Sequence, residues 1–323
     1  MDKPKVTPKD FFLWAGAMVA LYWSVIAFIL LFFNYISYAF PDPLSYLSPN
    51  PYDSGIGNEM AAIVVLFPIY AILMRLIRRD IVRDHARADI WVRRWALILT
   101  LFVAGAAMAG DLISLLAAFF TGEELTLSFL LKSLLLLSVA AIAFMHFIAD
   151  YWGYWEKNEA RKRMVCYSVA ALAAFAVVAG FVMFGTPYQA RQYRYDEQRV
   201  SDLQEIQSHI VTYWQAKETL PPTLAELNDP LGGFTVPTDV QTGAAYEYAT
   251  ASARSFKLCA TFNAMTQTYG ASDARTYPMA PVAIGAKGTP ISDNWWHDAG
   301  HQCFDRTIDP QLYSPLSKLV PAK

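Results

Sequence analysis

Residues 164–214 decide the fold: MVCYSVAALAAFAVVAGFVMF (164–184) is followed by GTPYQARQYRYDEQRVSDLQEIQSHIVTYW (185–214). The first part carries no charged residue and is long enough to cross a bilayer, which takes about 20 apolar residues. The second part mixes charged and apolar residues, as a water-exposed helix does. We therefore expect the chain to pass from lipid into water near residue 185.

The composition of the whole chain agrees with one region in lipid and another in water. Only 17% of its residues are charged and 55% are apolar, whereas a soluble protein has roughly a quarter charged residues. Most charged residues before residue 185 lie in short breaks between apolar runs. The net charge of −2 argues against nucleic acid as a partner, because phosphate binding needs concentrated lysine and arginine.

Four further stretches are long and apolar enough to cross a bilayer. The five expected spans are Phe11–Ile36, Met60–Ile77, Trp95–Phe120, Leu127–Tyr151 and Met164–Phe184. The first span has too long an apolar core for a cleaved signal peptide, so we expect it to stay in place. The predicted fold class is an all-α membrane bundle of about five transmembrane helices with a small α+β domain after it.

Basic residues predict the orientation, because short cytoplasmic loops carry an excess of lysine and arginine. The tail before the first span, the loop 75–94 and the loop 157–163 are basic, whereas 38–58 and 121–126 contain neither residue type. This predicts a multi-pass protein of the bacterial inner (cytoplasmic) membrane. The expected parts are a cytoplasmic tail (1–10), a four-helix domain (11–155), a fifth helix (164–186) and an extracytoplasmic domain (187–323).

Four ionisable residues fall inside the expected spans: Asp111, Lys132, His146 and Asp150. A charge near the bilayer centre costs about 2.5–3.5 kcal/mol on insertion scales, so it normally has a partner or a task. One interpretation is a proton or ion pathway through Asp111 and His146. The other is a buried hydrogen bond for Asp111 and an interfacial network for His146 and Asp150, in which Arg93, Arg94 or Arg161 neutralises the carboxylate.

The C-terminal domain begins with a predicted amphipathic helix, Tyr193–Lys217. Its apolar stripe is Val200, Leu203, Ile206, Ile210 and Trp214, with Asp202, Glu205 and Gln207 between these positions. Since Tyr188–Arg194 contains no proline or glycine, we expect the helix to continue nearly unbroken from the fifth span. The stripe is expected to pack on an antiparallel sheet containing Tyr246, Tyr248, Phe256 and Leu258. Predicted strands are Ala245–Thr250 and Ser255–Phe262, and residues 263–293 are predicted loops.

The cysteines and histidines of this domain suggest a disulfide more than a metal site. Cys259 and Cys303 both follow the last span, on the side where disulfides persist, so we expect them to be bonded. In the segment 295–303, His297 and His301 are weak metal candidates, and the alternative is a lid of tryptophan and histidine rings over the sheet. No metal or cofactor is expected. No nucleophile–base pairing, phosphate loop or dinucleotide motif appears, so no enzymatic activity is expected.

The first half resembles a bacterial family of four-helix membrane domains known as domain of unknown function 5671. The resemblance rests on PKDFF (8–12), FPD (40–42), DIWVRRW (89–95), VAG (103–105) and GDL (110–112). It covers about Thr7–Trp155 and implies four packed helices but no activity. The Gly-Asp pair is typical of that family. The resemblance therefore implies a role for Asp111.

The C-terminal part resembles the globular head of pseudopilins and type IV pilin-like proteins, in which a long helix packs on a small antiparallel sheet. The matching residues lie within 191–262: Asp202-Leu203, Ile206, Ile210, Tyr213-Trp214, Leu220-Pro221, Leu224–Leu227, Asp239, Thr242-Gly243 and Tyr246–Tyr248. RKR (161–163) stands before the fifth span instead of a prepilin cleavage glycine, and the glutamate that pilins carry near the helix start is missing. The resemblance therefore implies a pilin-like fold on a permanent anchor.

Two functions of different classes follow. The leading hypothesis is a non-enzymatic envelope scaffold or binding protein whose partners are the lipid bilayer and other envelope proteins. The alternative is a small transporter or ion-handling protein that uses Asp111, His146 and Asp150. A water-filled cavity lined by Asp111 would favour the alternative.

Overall fold

A computed structural model describes residues 6–40, 55–83, 90–122, 124–266, 283–284, 290–291 and 294–316. The chain divides into two compact units, Met1–Gly185 and Thr186–Lys323. We call the first the helical unit and the second the head. The all-helical first region and the small α+β second part agree with the predicted fold class.

In the residues that the structure describes, the helical unit contains five long helices and one short one. They are α1 (Pro8–Ala39), α2 (Ile56–Arg83), α3 (Trp91–Thr121), α4 (Leu127–Tyr151), the short α5 (Tyr154–Lys157) and α6 (Glu159–Phe184). Helix α1 begins at a capping box in which Thr7 and Asp10 satisfy each other's backbone amides. It contacts α2, α3, α4 and α6, while α3 packs along α4. Helix α1 is therefore the central element of this unit.

Most large apolar side chains of the helical unit point outward. Between 11% and 28% of each candidate spanning window is buried, and residues such as Phe102, Phe120 and Ile142 are at least two-thirds exposed. A soluble protein rarely exposes so large an apolar surface. All five predicted spans correspond to helical segments that are long and apolar enough to cross a membrane.

Close packing between α1 and α6 depends on small residues. The Tyr35 hydroxyl on α1 donates a hydrogen bond of 2.7 Å to the backbone carbonyl of Ala176 on α6. A Cβ atom at Gly180, one turn later, would lie 2.7 Å from that same hydroxyl and 2.7 Å from the Met60 sulfur. The small pair Ala176 and Gly180 thus lets the backbones approach, as such pairs do in membrane helices.

A break of two residues, Gly185 and Thr186, separates the helix of the head from the fifth apolar helix, so the predicted continuation is nearly but not fully unbroken. Helix α6 ends at Phe184, and Gly185 has a φ of 78°, a conformation that glycine adopts without steric cost. Helix α7 (Pro187–Lys217) then begins at a second capping box, formed by Thr186 and Gln189, with Pro187 in its first turn. A proline there ends the preceding hydrogen-bond ladder and starts a new helix.

The head packs α7 on a three-stranded antiparallel sheet. The strands are β1 (Glu247–Thr250), β2 (Ser255–Phe262) and β5 (Gly300–Thr307), in the order β1-β2-β5. A separate pair of two-residue strands, β3 (Ala283–Ile284) and β4 (Pro290–Ile291), lies in the region predicted as loops. A 3₁₀ turn, Leu224–Leu227, follows α7.

One apolar core joins the helix to the sheet. Leu203, Ile206 and Ile210 are fully buried against Phe256 and Leu258. The remaining predicted members are in the same core or packed on it: Val200, Trp214, Tyr246 and Tyr248. The predicted packing of the stripe on the sheet is confirmed.

Two details of the sheet differ from the prediction. Strand β1 begins at Glu247 instead of Ala245, which forms only an isolated bridge to Thr238. Strand β5 was not predicted. Its first residues belong to the segment 295–303, for which a lid of tryptophan and histidine rings over the sheet had been considered. Trp295 and His297 do lie on core rings, Phe304 and Phe262 respectively, but from Gly300 onward the chain pairs with β2.

Candidate functional site

Asp111 lies on α3 and is buried. The hydroxyl of Ser133 on α4 donates a hydrogen bond of 2.9 Å to its Oδ2 atom. Ser133 directly follows Lys132, another of the ionisable residues in the expected spans. The structure thus gives Asp111 a hydrogen bond that links two helices.

His146 and Asp150 belong to a different neighbourhood at the far end of α4. The His146 ring lies 5.1 Å from the Trp155 ring, and the Trp155 indole donates to the His146 backbone carbonyl. Asp150 faces Arg93 at 3.8 Å, one of the three arginines predicted to neutralise it. Asp150 also lines a small cavity together with Tyr70 and Thr100.

The Asp111 site and the Asp150 site do not coincide within the described helices. Ser133 and Asp150 are 17 positions apart on α4, which corresponds to about 25 Å along a helix axis at 1.5 Å per residue. The Asp111 pair and the Asp150 pair therefore lie at different positions along α4. Asp111 is not among the residues that line the cavity at Asp150 or a second cavity beside Asp10.

Replacing Asp111 tests whether its hydrogen bond is structural. We expect Asp111→Asn to change the stability of the helical unit by less than about 1 kcal/mol, because an amide of the same size still accepts from Ser133. Asp111→Leu should destabilise it by about 1–3 kcal/mol, because the Ser133 hydroxyl loses its partner. Hydrogen exchange of α3 and α4 amides in the detergent-purified protein measures both. Equal protection in the two variants would show that the bond does not support the bundle.

The head contains a buried ion network that was not predicted. Asp196, Arg199 and Asp202 occupy successive turns of α7, and each is at most 4% exposed. Asp202 stands between apolar positions of the stripe in the sequence, and the structure buries its side chain. The three side chains continue the buried face of Leu203 toward the start of the helix, so charged and apolar residues share one face of α7.

Arg199 is the centre of this network. Its guanidinium donates to both carboxylate oxygens of Asp239, at 2.9 and 3.2 Å, and to Asp196 at 2.6 Å. It also donates to the Gln241 side chain at 2.7 Å. A bidentate contact of this kind is among the stronger hydrogen-bonded pairs in proteins. Arg199 thereby ties the loop 239–241 to α7.

Asp239 is held in its charged form. Burial alone would raise the pKa of this carboxyl, but the Arg199 guanidinium, the backbone amide of Gln241 and the Thr242 hydroxyl all donate to it. Together they lower the pKa of Asp239 below its ordinary value. The ion pair is therefore maintained at neutral pH.

Asp196 and Asp202 connect the same helix face to two other segments. Asp196 accepts from the backbone amides of Asn263 and Ala264, each at 2.9 Å, just after β2 ends. Asp202 accepts from the Tyr246 hydroxyl at 2.7 Å. Burial, with the hydrogen bond to Asp202 next, raises the pKa of the Tyr246 phenol well above its ordinary value. The network thus joins α7, the loop before β1 and the end of β2.

The two histidines considered for metal binding lie in different surroundings. His297 is buried and stacks on Phe262 with ring centres 3.7 Å apart. Its Nδ1 atom has no hydrogen-bond partner in the described structure, and burial lowers the pKa of its imidazole. His301 is exposed on β5, where its Nε2 atom lies 3.2 Å from a Glu247 carboxylate oxygen.

The predicted disulfide is confirmed. Cys259 and Cys303 are bonded and lie directly opposite each other on β2 and β5. The bond closes a loop with a sequence separation of 44 residues, which contributes about 4 kcal/mol to stability on the chain-entropy model. Cys166, on α6, is exposed and free.

Comparison with known proteins gives a match in the first region only. The family model described as Domain of unknown function (DUF5671) matches residues 10–147, in agreement with the resemblance inferred from sequence. This range contains α2, α3 and most of α1 and α4. No curated protein and no solved structure gives a significant match to the chain.

Proposed function

We propose that this chain is a non-enzymatic envelope protein of the bacterial inner membrane, in which the helical unit anchors a pilin-like head outside the cytoplasm. The head serves as a scaffold or binding surface for other envelope proteins. The observation that carries the proposal is the disulfide Cys259–Cys303 in a domain that follows the last apolar helix. Disulfides persist mainly outside the cytoplasm, which agrees with the orientation predicted from the basic loops.

The architecture of the head supports the pilin-like part of the proposal. A 31-residue helix, α7, packs one face on a small antiparallel sheet, the arrangement expected from the resemblance. The buried charges of the head connect α7 to neighbouring segments by hydrogen bonds. Their contacts are thus those of a structural network, which supports a display or binding role over catalysis.

Ion or proton handling is the second candidate function, and one observation favours it. Asp150, Tyr70 and Thr100 line a cavity among α1 to α4. The distance along α4 between this cavity and the Asp111 pair weighs against a continuous pathway, since a transporter usually gathers polar groups at one depth. A stable Asp111→Asn protein that lost ion flux in proteoliposomes would favour this second function.

Topology is the first test of the proposal. An enzyme reporter active only outside the cytoplasm should be active when fused after Lys323 and inactive when fused within Arg79–Arg87. The control is a cytoplasm-active reporter at the same two positions, which should give the opposite pattern. A head-fused reporter that works only in the cytoplasm would overturn both the orientation and the proposed envelope role.

Partner capture tests the role of the head itself. Envelope proteins crosslinked in cells should be recovered with the full chain but not with a chain ending at Gly185, the last residue of the helical unit. Equal recovery with both chains would assign partner binding to the helical unit and contradict the proposed role of the head.

A further inference from the structure

The face of the sheet that points away from α7 carries a cluster of sulfur-containing and ionisable side chains. On β2, Phe256 and Leu258 face the core, whereas Lys257 and Cys259 face the other way. We call this second side the outer face. Glu247, Cys259 and Cys303 lie in one row across the three strands. The row therefore places a carboxylate beside the two sulfur atoms.

His301 completes the cluster. It lies two residues before Cys303 on the same face of β5, and its Nε2 atom meets the Glu247 carboxylate at 3.2 Å. This contact joins β1 to β5 across β2, which agrees with the low exposure of Cys259, 8%, on a face where Lys257 and Thr261 are exposed. The donor atoms of Cys259, Cys303 and His301 all lie within 4.8 Å of one another.

We infer that this cluster is a redox-gated site for a thiophilic divalent cation such as Zn²⁺. Cys259, Cys303 and His301 supply three ligands and Glu247 the fourth. Two sulfurs, one imidazole nitrogen and one carboxylate oxygen are all ligands that zinc uses in tetrahedral sites. In the oxidised head, the disulfide occupies both sulfurs and closes the site. The inference goes beyond the proposed function and does not depend on the direction in which the head faces.

Opening the site requires a two-electron reduction by an external dithiol. The reductant's two thiols become a disulfide, the Cys259–Cys303 bond breaks, and each cysteine sulfur becomes a thiol. Binding of the cation then releases one proton from each thiol, since the thiolate is the metal ligand. Reoxidation by a disulfide of the same chemical class reverses the step and expels the cation.

The sheet keeps the ligands close after reduction. Cys259 and Cys303 are paired across neighbouring strands with Cα atoms 4.0 Å apart. Two sulfurs bound to one tetrahedral zinc lie about 3.8 Å apart, given Zn–S bonds of about 2.3 Å. Rotation of the two side chains away from the broken bond is enough to reach that spacing. The His301 and Glu247 side chains are 50% and 68% accessible, so both can rotate from their mutual contact to bind the cation.

Cobalt binding tests the inference on the full-length, detergent-purified Cys166→Ser protein, in which only these two cysteines remain. Co²⁺ reports thiolate ligation by charge-transfer absorption in the near ultraviolet. After reduction by a phosphine under argon, we expect one Co²⁺ per chain with this absorption, and Zn²⁺ should displace it. The oxidised protein should show no such band. His301→Ala and Glu247→Gln should each weaken binding by at least about tenfold, the loss caused even by removing a ligand's outer partner.

Asp305→Asn is the matched control, because Asp305 is on the same face of β5 but pairs with Lys257; it should leave the affinity unchanged. A reduced protein without the thiolate band would overturn the inference. So would His301→Ala and Glu247→Gln variants that bind as tightly as their parent. Loss of hydrogen-exchange protection in β2 on reduction would also count against it, since the ligands would then no longer be held together.

Discussion

Ile206→Asp is expected to unfold the head of the full-length protein while the helical unit stays folded. Ile206 is fully buried in the core between α7 and the sheet. The substitution removes the roughly 1.5–3 kcal/mol that a buried isoleucine contributes and places a carboxylate among apolar groups, where it has no partner. We expect a combined loss above about 4 kcal/mol, a size reached only by a few mechanisms such as this one.

Hydrogen exchange of the detergent-purified protein separates the two units in one measurement. Amides of α7 and β2 should lose protection, whereas amides of α1 and α3 should keep it. Gln204→Asp is the matched control because it introduces the same side chain at an exposed position of α7, and Glu205→Ala removes an exposed charge next to Ile206. Both should behave like the parent. Unchanged protection in Ile206→Asp would show that this core does not hold the head together.

The features predicted correctly from sequence have local causes. The spacing of Leu203, Ile206, Ile210 and Trp214 follows the period of an α-helix, so the buried face of α7 was visible in the residues themselves. The bounds of β2, Ser255–Phe262, agree with the predicted strand, because its apolar residues alternate with other types. The apolar helices were predictable for the same kind of reason, since each has its signal within one continuous run of residues.

Strand β5 shows where local patterns fail. The side of β5 that faces the core carries Gln302, Phe304 and Arg306, so only one apolar residue marks its buried face. Arg306 is accommodated because its guanidinium lies 4.3 Å from the Trp295 ring centre and donates to Gln207 on α7. These partners are distant in sequence, and no periodicity within β5 indicates them.

The buried ion network was missed for a related reason. Asp196 and Arg199 were not singled out from sequence, because charged residues are rarely buried without partners. Arg199 pairs locally with Asp196, and Asp202 with Gln198. Their partners outside α7 are Asp239, Asn263 and Tyr246, each at least 40 residues away in sequence. One local signal was nevertheless available. Stepping back from Leu203 by four and then by three residues reaches Arg199 and Asp196, so both lie in phase with the apolar stripe.

Arg199→Met is the second substitution with a large expected effect, because it leaves buried carboxylates without their cation. Asp239 would lose its bidentate partner and Asp196 one of its donors. Removing one member of a buried ion pair costs about 3–5 kcal/mol, mainly from the charge that remains. We expect the head to be destabilised by this amount, measured by hydrogen exchange of α7. Arg194→Met, an exposed arginine on the same helix, should have little effect.

A second change and the pH dependence distinguish the ion pair from simple loss of packing. Adding Asp239→Asn to Arg199→Met should recover part of the stability, because it removes the unpaired charge. In the parent protein the pKa of Asp239 is lowered in the folded state. Its contribution is therefore present above the ordinary carboxyl pKa of about 3.9 and is lost as the pH falls through the lowered value. Arg199→Met should lack this acid-side loss, since protonating Asp239 then relieves a buried charge. Parallel stability profiles in parent and variant between pH values of about 2 and 6 would show that Arg199 acts through packing alone.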